Sequence, residues 1–297
     1  MSIEKHAEHI WEYFNSIDKN NYGIKTPSIP LLYLGNYELY EQSPLKILTV
    51  GTNPSDKEFP VHNPFCRFKT AENILNKEKI SKEDVLTYLK SLNSYFDVNS
   101  SEWIDNFEPL LNGLNASYYS NHESTVLHTY MCSPLTTLES WSKYEKTTSP
   151  LLFHDVVYEG LKLWLDLLDT LAPDIVLTSL GDNYRGWLFP EQNLEWVKFH
   201  VFKETADGRE RGRPFNVHCV VAKLESGKRC LLVFGDRSVV PFMISRKQKI
   251  MLGEKIYIIL SGKAPSHSYK EEAGSKPEES LEGSELEQES RTIVSVN

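Results

Sequence analysis

Four cysteines, Cys66, Cys132, Cys219 and Cys230, are all that the 297 residues contain, and no two are spaced as Cys-x-x-Cys. The spacings that hold zinc or an iron–sulfur cluster are therefore missing, and no metal or other cofactor is assigned. Cys219 and Cys230 could face one another on neighbouring strands, but reduced core thiols are the ordinary state in a cytoplasmic protein. No apolar run approaches the roughly 18 residues that a membrane helix needs, so no membrane partner is expected. Met1-Ser2-Ile3-Glu4-Lys5-His6 carries charge where a secretory signal would need apolar residues. A cytoplasmic location is the expectation. Excess positive charge is also lacking. The formal net charge is −9, which argues against a simple nucleic-acid coat protein.

That charge is unevenly spread. Beyond about Ala264 the chain turns to Ser, Gly, Lys and Glu, with Glu271, Glu272, Glu278, Glu279, Glu282, Glu285, Glu287 and Glu289. Such a segment has too few apolar residues to offset its ordering entropy. Residues 263–297 are accordingly read as a disordered acidic tail behind one domain, 1–262. Residues 185–249, by contrast, include Arg185, Arg209, Arg211, Arg213, Lys223, Lys228, Arg229, Arg237, Arg246, Lys247 and Lys249. Local concentration of this kind is what a phosphate-binding face requires, whatever the whole-chain total, although any single lysine is more simply a solvated surface residue.

Periodicity divides the domain into alternating elements. Ile3, Ala7, Ile10, Trp11, Phe14 and Ile17 fall at helical spacing. Leu45 to Val50 is a short apolar, β-rich run ended by Gly51, the pattern of a buried strand. Helices are predicted near 83–96 and 102–114, a second strand over 125–130, and an apolar helix over 154–171. A third buried strand spans 174–180, strands at about 196–203 and 215–224 flank a polar loop, and Cys230 to Phe234 forms the last core strand. A basic, partly helical stretch then runs to about Leu260. Strands alternating with helices predict an α/β fold, a mainly parallel central sheet with helices on both faces.

In such a sheet ligands bind beyond the carboxyl ends of the strands. The loops there are Gly51-Thr52-Asn53-Pro54-Ser55, Met131 to Thr137, Gly181-Asp182-Asn183-Tyr184 and Gly235-Asp236-Arg237-Ser238. The first, a buried strand running into Gly-x-Asn-Pro-Ser, resembles the water-activating loop of the mismatch-specific and single-strand-selective branches of the uracil-DNA glycosylase superfamily. His62-Asn63-Pro64-Phe65-Cys66-Arg67-Phe68 resembles the His-Pro-x-Asn-Arg-Phe segment that follows that loop. Leu127-His128-Thr129-Tyr130-Met131-Cys132-Ser133-Pro134-Leu135 is similar to the family's base-reading strand, often His-Asn-x-Cys-Pro-Leu. The resemblance covers roughly residues 30–245. Two departures stand out: Gly235-Asp236-Arg237-Ser238 replaces the family's His-Pro-Ser loop, and Thr129 or Tyr130 stands where an asparagine amide would recognise uracil.

The resemblance implies a monofunctional DNA N-glycosylase without a lysine nucleophile. Asn53 would orient water toward the sugar, and Asp236 would stabilise the sugar cation or accept from an exocyclic amine. Gly51, Thr52, Ser55, Phe65, Phe68, His128 and Thr129 are the candidate base contacts. Phe65 and Phe68 are named for stacking, Ser55 because the family often has a blocking tyrosine there. His128 lies in a strand pattern, where packing is the simpler reading. Arg237, Ser238, Val239, Val240, Arg246 and Lys247 would contact DNA, with Val239, Val240, Phe242 and Met243 where the family has its wedge. Room at Ser55 and an acceptor at Asp236 point to a bulky C5-modified cytosine, such as phage DNA carries, and so to antiviral defence. The alternatives are a uracil or thymine mismatch repair glycosylase and an inert member of the fold that binds DNA or a protein partner.

Overall fold

The computed structural model describes residues 1–262 except 76, 78, 100, 120, 121 and 237–239. Its centre is a seven-stranded sheet in the order β2-β3-β1-β4-β7-β6-β5. The strands are β1 (Ile47–Gly51), β2 (Ala116–Ser117), β3 (Ser124–Tyr130), β4 (Ile175–Thr178), β5 (Val197–Glu204), β6 (Glu210–Lys223) and β7 (Arg229–Gly235). β2, β3, β1, β4 and β7 run parallel, while β6 and β5 add an antiparallel hairpin at one edge. The fold is thus α/β with a mostly parallel sheet. Every residue of β1 is buried, as expected of a strand covered on both faces, which is why its sequence is a continuous apolar run rather than an alternation.

Two helical layers make those covers. The helix Pro150–Leu171 has Pro at its first position, where the missing N–H costs nothing, and a Ser149 cap accepting from the Leu152 amide. It buries Val156, Val157, Trp164, Leu167, Leu168 and Leu171. Gly160 brings it against the loop after β3: an added Cβ would lie 2.0 Å from the Cys132 carbonyl oxygen. The helix Arg246–Ser261 opens on a reciprocal capping box between Ser245 and Gln248. It packs on the short helix Glu108–Gly113, where a Cβ on Gly253 would meet the Leu110 carbonyl oxygen at 2.1 Å.

Side-chain alternation along β3 shows that these layers lie on opposite faces. Thr129 accepts a hydrogen bond from Trp164 Nε1 at 3.0 Å, while the His128 ring meets Trp103 and Phe107. The sequence-predicted helix over 102–114 is two short pieces, Glu102–Asp105 and Glu108–Gly113, parted before Pro109. Half of the predicted polar loop 206–213 is strand, since β6 begins at Glu210. The four cysteines form no disulfide: register places Cys219 opposite Val233 and Cys230 opposite Ala222, not one another. The acidic segment 263–297 lies outside the described residues.

Candidate functional site

β1 is the strand from which the chain moves first to one side, to β3, and then to the other, to β4. Loops leaving neighbouring strands diverge at such a switch point and open a crevice beyond their carboxyl ends. The Gly51–Ser55 loop leaves the sheet there. It is pinned from the β3 side by the Met131 amide donating to the Gly51 carbonyl (2.9 Å) and by the Cys132 and Ser133 amides donating to the Thr52 carbonyl (2.9 and 3.1 Å). From the β4 side, the Thr178 hydroxyl donates to the Val50 carbonyl at 3.1 Å.

Within this loop Asn53 is half-buried and its amide is tethered. Nδ2 donates to the Pro54 carbonyl at 3.1 Å and to Thr137 Oγ1 at 3.0 Å, and Thr137 in turn donates to the Glu139 carbonyl. Oδ1 accepts from the Thr52 hydroxyl at 3.4 Å. Both amide hydrogens are used, which fixes the rotamer and leaves acceptor capacity on Oδ1, the end that can orient a water. Ser55 is exposed and caps a 3-10 turn by accepting from the Lys57 amide, so its side chain is committed to the turn.

At the end of β7, the Asp236 backbone is bound on two sides. Its amide donates to the Asn216 carbonyl and its carbonyl accepts from the Ser179 hydroxyl at 2.7 Å. Carboxylate Oδ2 accepts from the Asn216 backbone amide (2.9 Å) and from Nδ2 of the same residue (3.0 Å). Asp236 is therefore oriented by β6. Ser179 and Thr178 couple the loops after β4, β7 and β1 into one cluster.

Other candidates lie elsewhere. Thr129 points to the opposite face of the sheet, under the helix Pro150–Leu171, so it is a packing residue and not a base contact; strand alternation separates it from His128 and Tyr130. Phe68 is fully buried, stacked on Phe59 on one side and Tyr95 on the other. It therefore has no exposed surface for a base. Phe65 is buried edge-on to Phe59. Phe242, in the expected wedge, is fully buried at φ 45° against Phe107 and Phe215, while Met243 beside it is exposed. Val240 is half-buried, and Arg246 and Lys247 are exposed. Arg237, Ser238 and Val239 lie outside the described residues.

The basic residues of 185–249 do not form one face. Lys228 pairs with Asp174 at the opposite end of the sheet, and Lys223 and Arg229 pair across β6 and β7 at that same end. Lys249 is buried, donating to the Asn106 (2.7 Å) and Pro241 (2.9 Å) carbonyls, and burial lowers its amine to about 8. The hairpin of β5 and β6 is different. Val217 pairs with Gly235, the last residue of β7, so Glu210–Asn216 runs on past the end of β7, beside the Asp236 loop. Arg211 and Arg213 sit on that projection, Arg211 donating to the Met243 carbonyl, while Arg209, in the turn before it, pairs with Asp207. Arg246 and Lys247 follow in the first turn of the adjoining helix, where its dipole disfavours cations unless an anion binds.

Two features escaped the sequence reading. Glu58, directly after the loop, is buried and accepts from Tyr95 Oη at 2.6 Å, with Arg67 at 3.5 Å. Burial raises its carboxyl above the ordinary range, while Tyr95 and Arg67 oppose the shift. Glutamate beside a loop looks solvated in sequence, and nothing local signals a partner 37 residues away. Trp103 lies over Gly51: a Cβ there would be 3.5 Å from the indole and 3.3 Å from both His128 Nε2 and the Tyr130 ring.

No group of metal-ligating side chains occurs among the described residues, and none of their helices is long and apolar enough to cross a membrane. No family model, curated protein or solved structure matches this chain.

Proposed function

We propose that the chain is a monofunctional N-glycosylase that hydrolyses the bond between deoxyribose and a non-standard base in DNA, on a fold of the uracil-DNA glycosylase kind. The observation that carries this reading is the tethered Asn53 in a Gly-Thr-Asn-Pro-Ser loop at the switch point of a parallel sheet. Base excision proceeds through an oxocarbenium-like sugar, which needs an aligned water more than a strong base. An amide whose hydrogens are fixed by Pro54 and Thr137 presents its oxygen for that purpose. Asp236 supplies negative charge near the developing cation, held by Asn216 so that little reorganisation is required.

The projecting hairpin and the first turn of Arg246–Ser261 put Arg211, Arg213, Arg246 and Lys247 at the same end of the sheet as these loops, which supports a phosphate-binding face there. DNA is therefore the proposed partner, and the cytoplasm the proposed location. The favoured base is a bulky C5-modified cytosine of phage DNA, with a defensive role. Ser55 supports room at C5 only indirectly, as an exposed turn cap. A second reading has its own support. The double engagement of Asp236 by Asn216 is also what a purely structural turn residue shows, as an inert DNA-binding member of the fold would require.

End-labelled duplexes carrying hydroxymethylated, glucosylated or unmodified cytosine, or uracil, distinguish these readings. After incubation and alkaline cleavage, strand breaks at the modified position only, absent with Asn53→Ala, are the expected result. Breaks at uracil alone would return the protein to repair, and binding without breaks on any duplex would favour the inert reading.

A further inference from the structure

The cations at the loop end of the sheet are tied together through one shared carbonyl. Arg211 donates to the Glu204 carbonyl at 3.1 Å and to the Met243 carbonyl at 3.4 Å. Gln248 Nε2, in the first turn of the helix Arg246–Ser261, donates to the same Glu204 carbonyl at 2.9 Å. The hairpin is thereby fastened to the turn that carries Arg246 and Lys247, both exposed, and exposed Arg213 follows Arg211 along β6. Glu204 and Glu210 of the hairpin offset only part of this charge.

The same chain supplies a matching anion. Residues 277–290 contain Glu278, Glu279, Glu282, Glu285, Glu287 and Glu289 and no lysine or arginine; they lie outside the described residues. The chain leaves the domain at Gly262, the left-handed cap of the helix. Ile256 and Ile259 line an apolar gap with Phe199 and Leu231, so the helix runs from the loop end of the sheet toward the start of β7. Its 16 residues cover about 24 Å. Residues 263–277 separate Gly262 from Glu278. A chain of that length has a root-mean-square span of about 20–24 Å and an extended reach of about 50 Å. The span matches the helix back along which the segment would return. A tethered ligand has its highest effective concentration, on the order of mM, when these lengths agree. At the end where the chain leaves, Lys228 is already held by Asp174.

We propose that the glutamate-rich segment 278–289 docks on the surface formed by Arg211, Arg213, Arg246 and Lys247 and competes there with DNA phosphates. The competition rests on the DNA reading above; the docking does not. A duplex that offers only phosphates meets a competitor held at constant local concentration. A duplex that also supplies a base to the Gly51–Ser55 loop gains further contacts and displaces the segment. The tail thus filters out non-specific DNA and takes no part in the chemistry.

The test uses the wild-type full chain and a full-length protein combining Glu278→Gln, Glu279→Gln, Glu282→Gln, Glu285→Gln, Glu287→Gln and Glu289→Gln. A carbodiimide, which joins a carboxylate to a lysine amine without a spacer, is applied at low salt in the absence of DNA. Peptide mass spectrometry of the monomer should show Lys247 linked to a glutamate of 278–289, and added salt should suppress that link. On an unmodified duplex, fluorescence anisotropy should give the six-glutamine protein several-fold tighter binding than wild type at low salt, the gap closing as salt rises. Links only to Lys223 or Lys228, or none, with equal affinities that still fall steeply with salt, would overturn the docking and leave the DNA reading standing. A Lys247 link, with neither protein binding any duplex, would overturn the DNA reading and the competition with it.

Discussion

The fate of each candidate side chain turned on neighbours distant in sequence. Asn53 gains its fixed orientation from Thr137, and Asn53→Ala should lower single-turnover excision about 100-fold while leaving DNA affinity nearly unchanged, as fluorescence anisotropy would show. An unfolded variant would instead mark the residue as a turn anchor. Thr129, one residue from His128, faces Trp164 instead. Thr129→Val should cost about 1 kcal/mol of stability through that lost bond and leave base preference as it is; an altered preference would return Thr129 to the site. His128 carries a pH signature. Burial holds its imidazole neutral down to about 3, whereas the unfolded chain takes up the proton near ~6.5. Between those values the unfolded state binds more protons, so this contribution to stability is complete above ~6.5 and is lost as pH falls toward 3. His128→Phe should therefore lose less stability than wild type between pH 7 and 4, measured by urea unfolding. Parallel losses would mean that the imidazole is not buried as described.

At the level of elements, close backbone contacts are the most exposed part of the account. Gly253→Ala would force a Cβ to within 2.1 Å of the Leu110 carbonyl oxygen, and parting the helices would disturb the Lys249 bonds to the Asn106 and Pro241 carbonyls. A loss of about 1–3 kcal/mol, typical of overpacking, should appear as a lowered melting temperature; an unchanged value would show that the two helices are not in contact there. Elements whose pattern follows from local burial were legible in the sequence. β1, β4 and β7 read as apolar runs because helices cover both faces, and the helices Ile3–Ser16 and Pro150–Leu171 carry an apolar stripe beside a polar one. β6 was half missed. Its first residues, Glu210 to Arg213, project past the end of β7 and are solvated on both sides, so their sequence has the polarity of a loop. Likewise the loop at Gly51–Ser55 was legible from its own residues. The tie from Asn216 to Asp236 and the packing of Trp103 and His128 around Gly51 were not, because both depend on contacts between residues far apart in the chain.

For the molecule as a whole, net negative charge and the proposed DNA partner are compatible because phosphate binding depends on local charge and not on the total. The arginines of the hairpin and the first turn of Arg246–Ser261 lie at the loop end of the sheet, while Lys223, Lys228 and Arg229 lie at the other. Affinity for DNA should therefore fall steeply with salt as bound phosphates release counterions. Arg213→Glu and Lys247→Glu should weaken binding to all sequences, and Lys223→Glu should not. Equal effects from both ends would mean that no oriented DNA face exists. The central claim, that this fold releases a base from DNA, is tested most directly by mass spectrometry of the small molecules freed when the purified protein acts on a panel of modified and unmodified DNAs. The account predicts a free C5-modified cytosine base, from modified DNA alone, with an abasic site left in the strand and no release by Asn53→Ala. Intact DNA and no free base from any member of the panel, with a correctly folded protein, would contradict it.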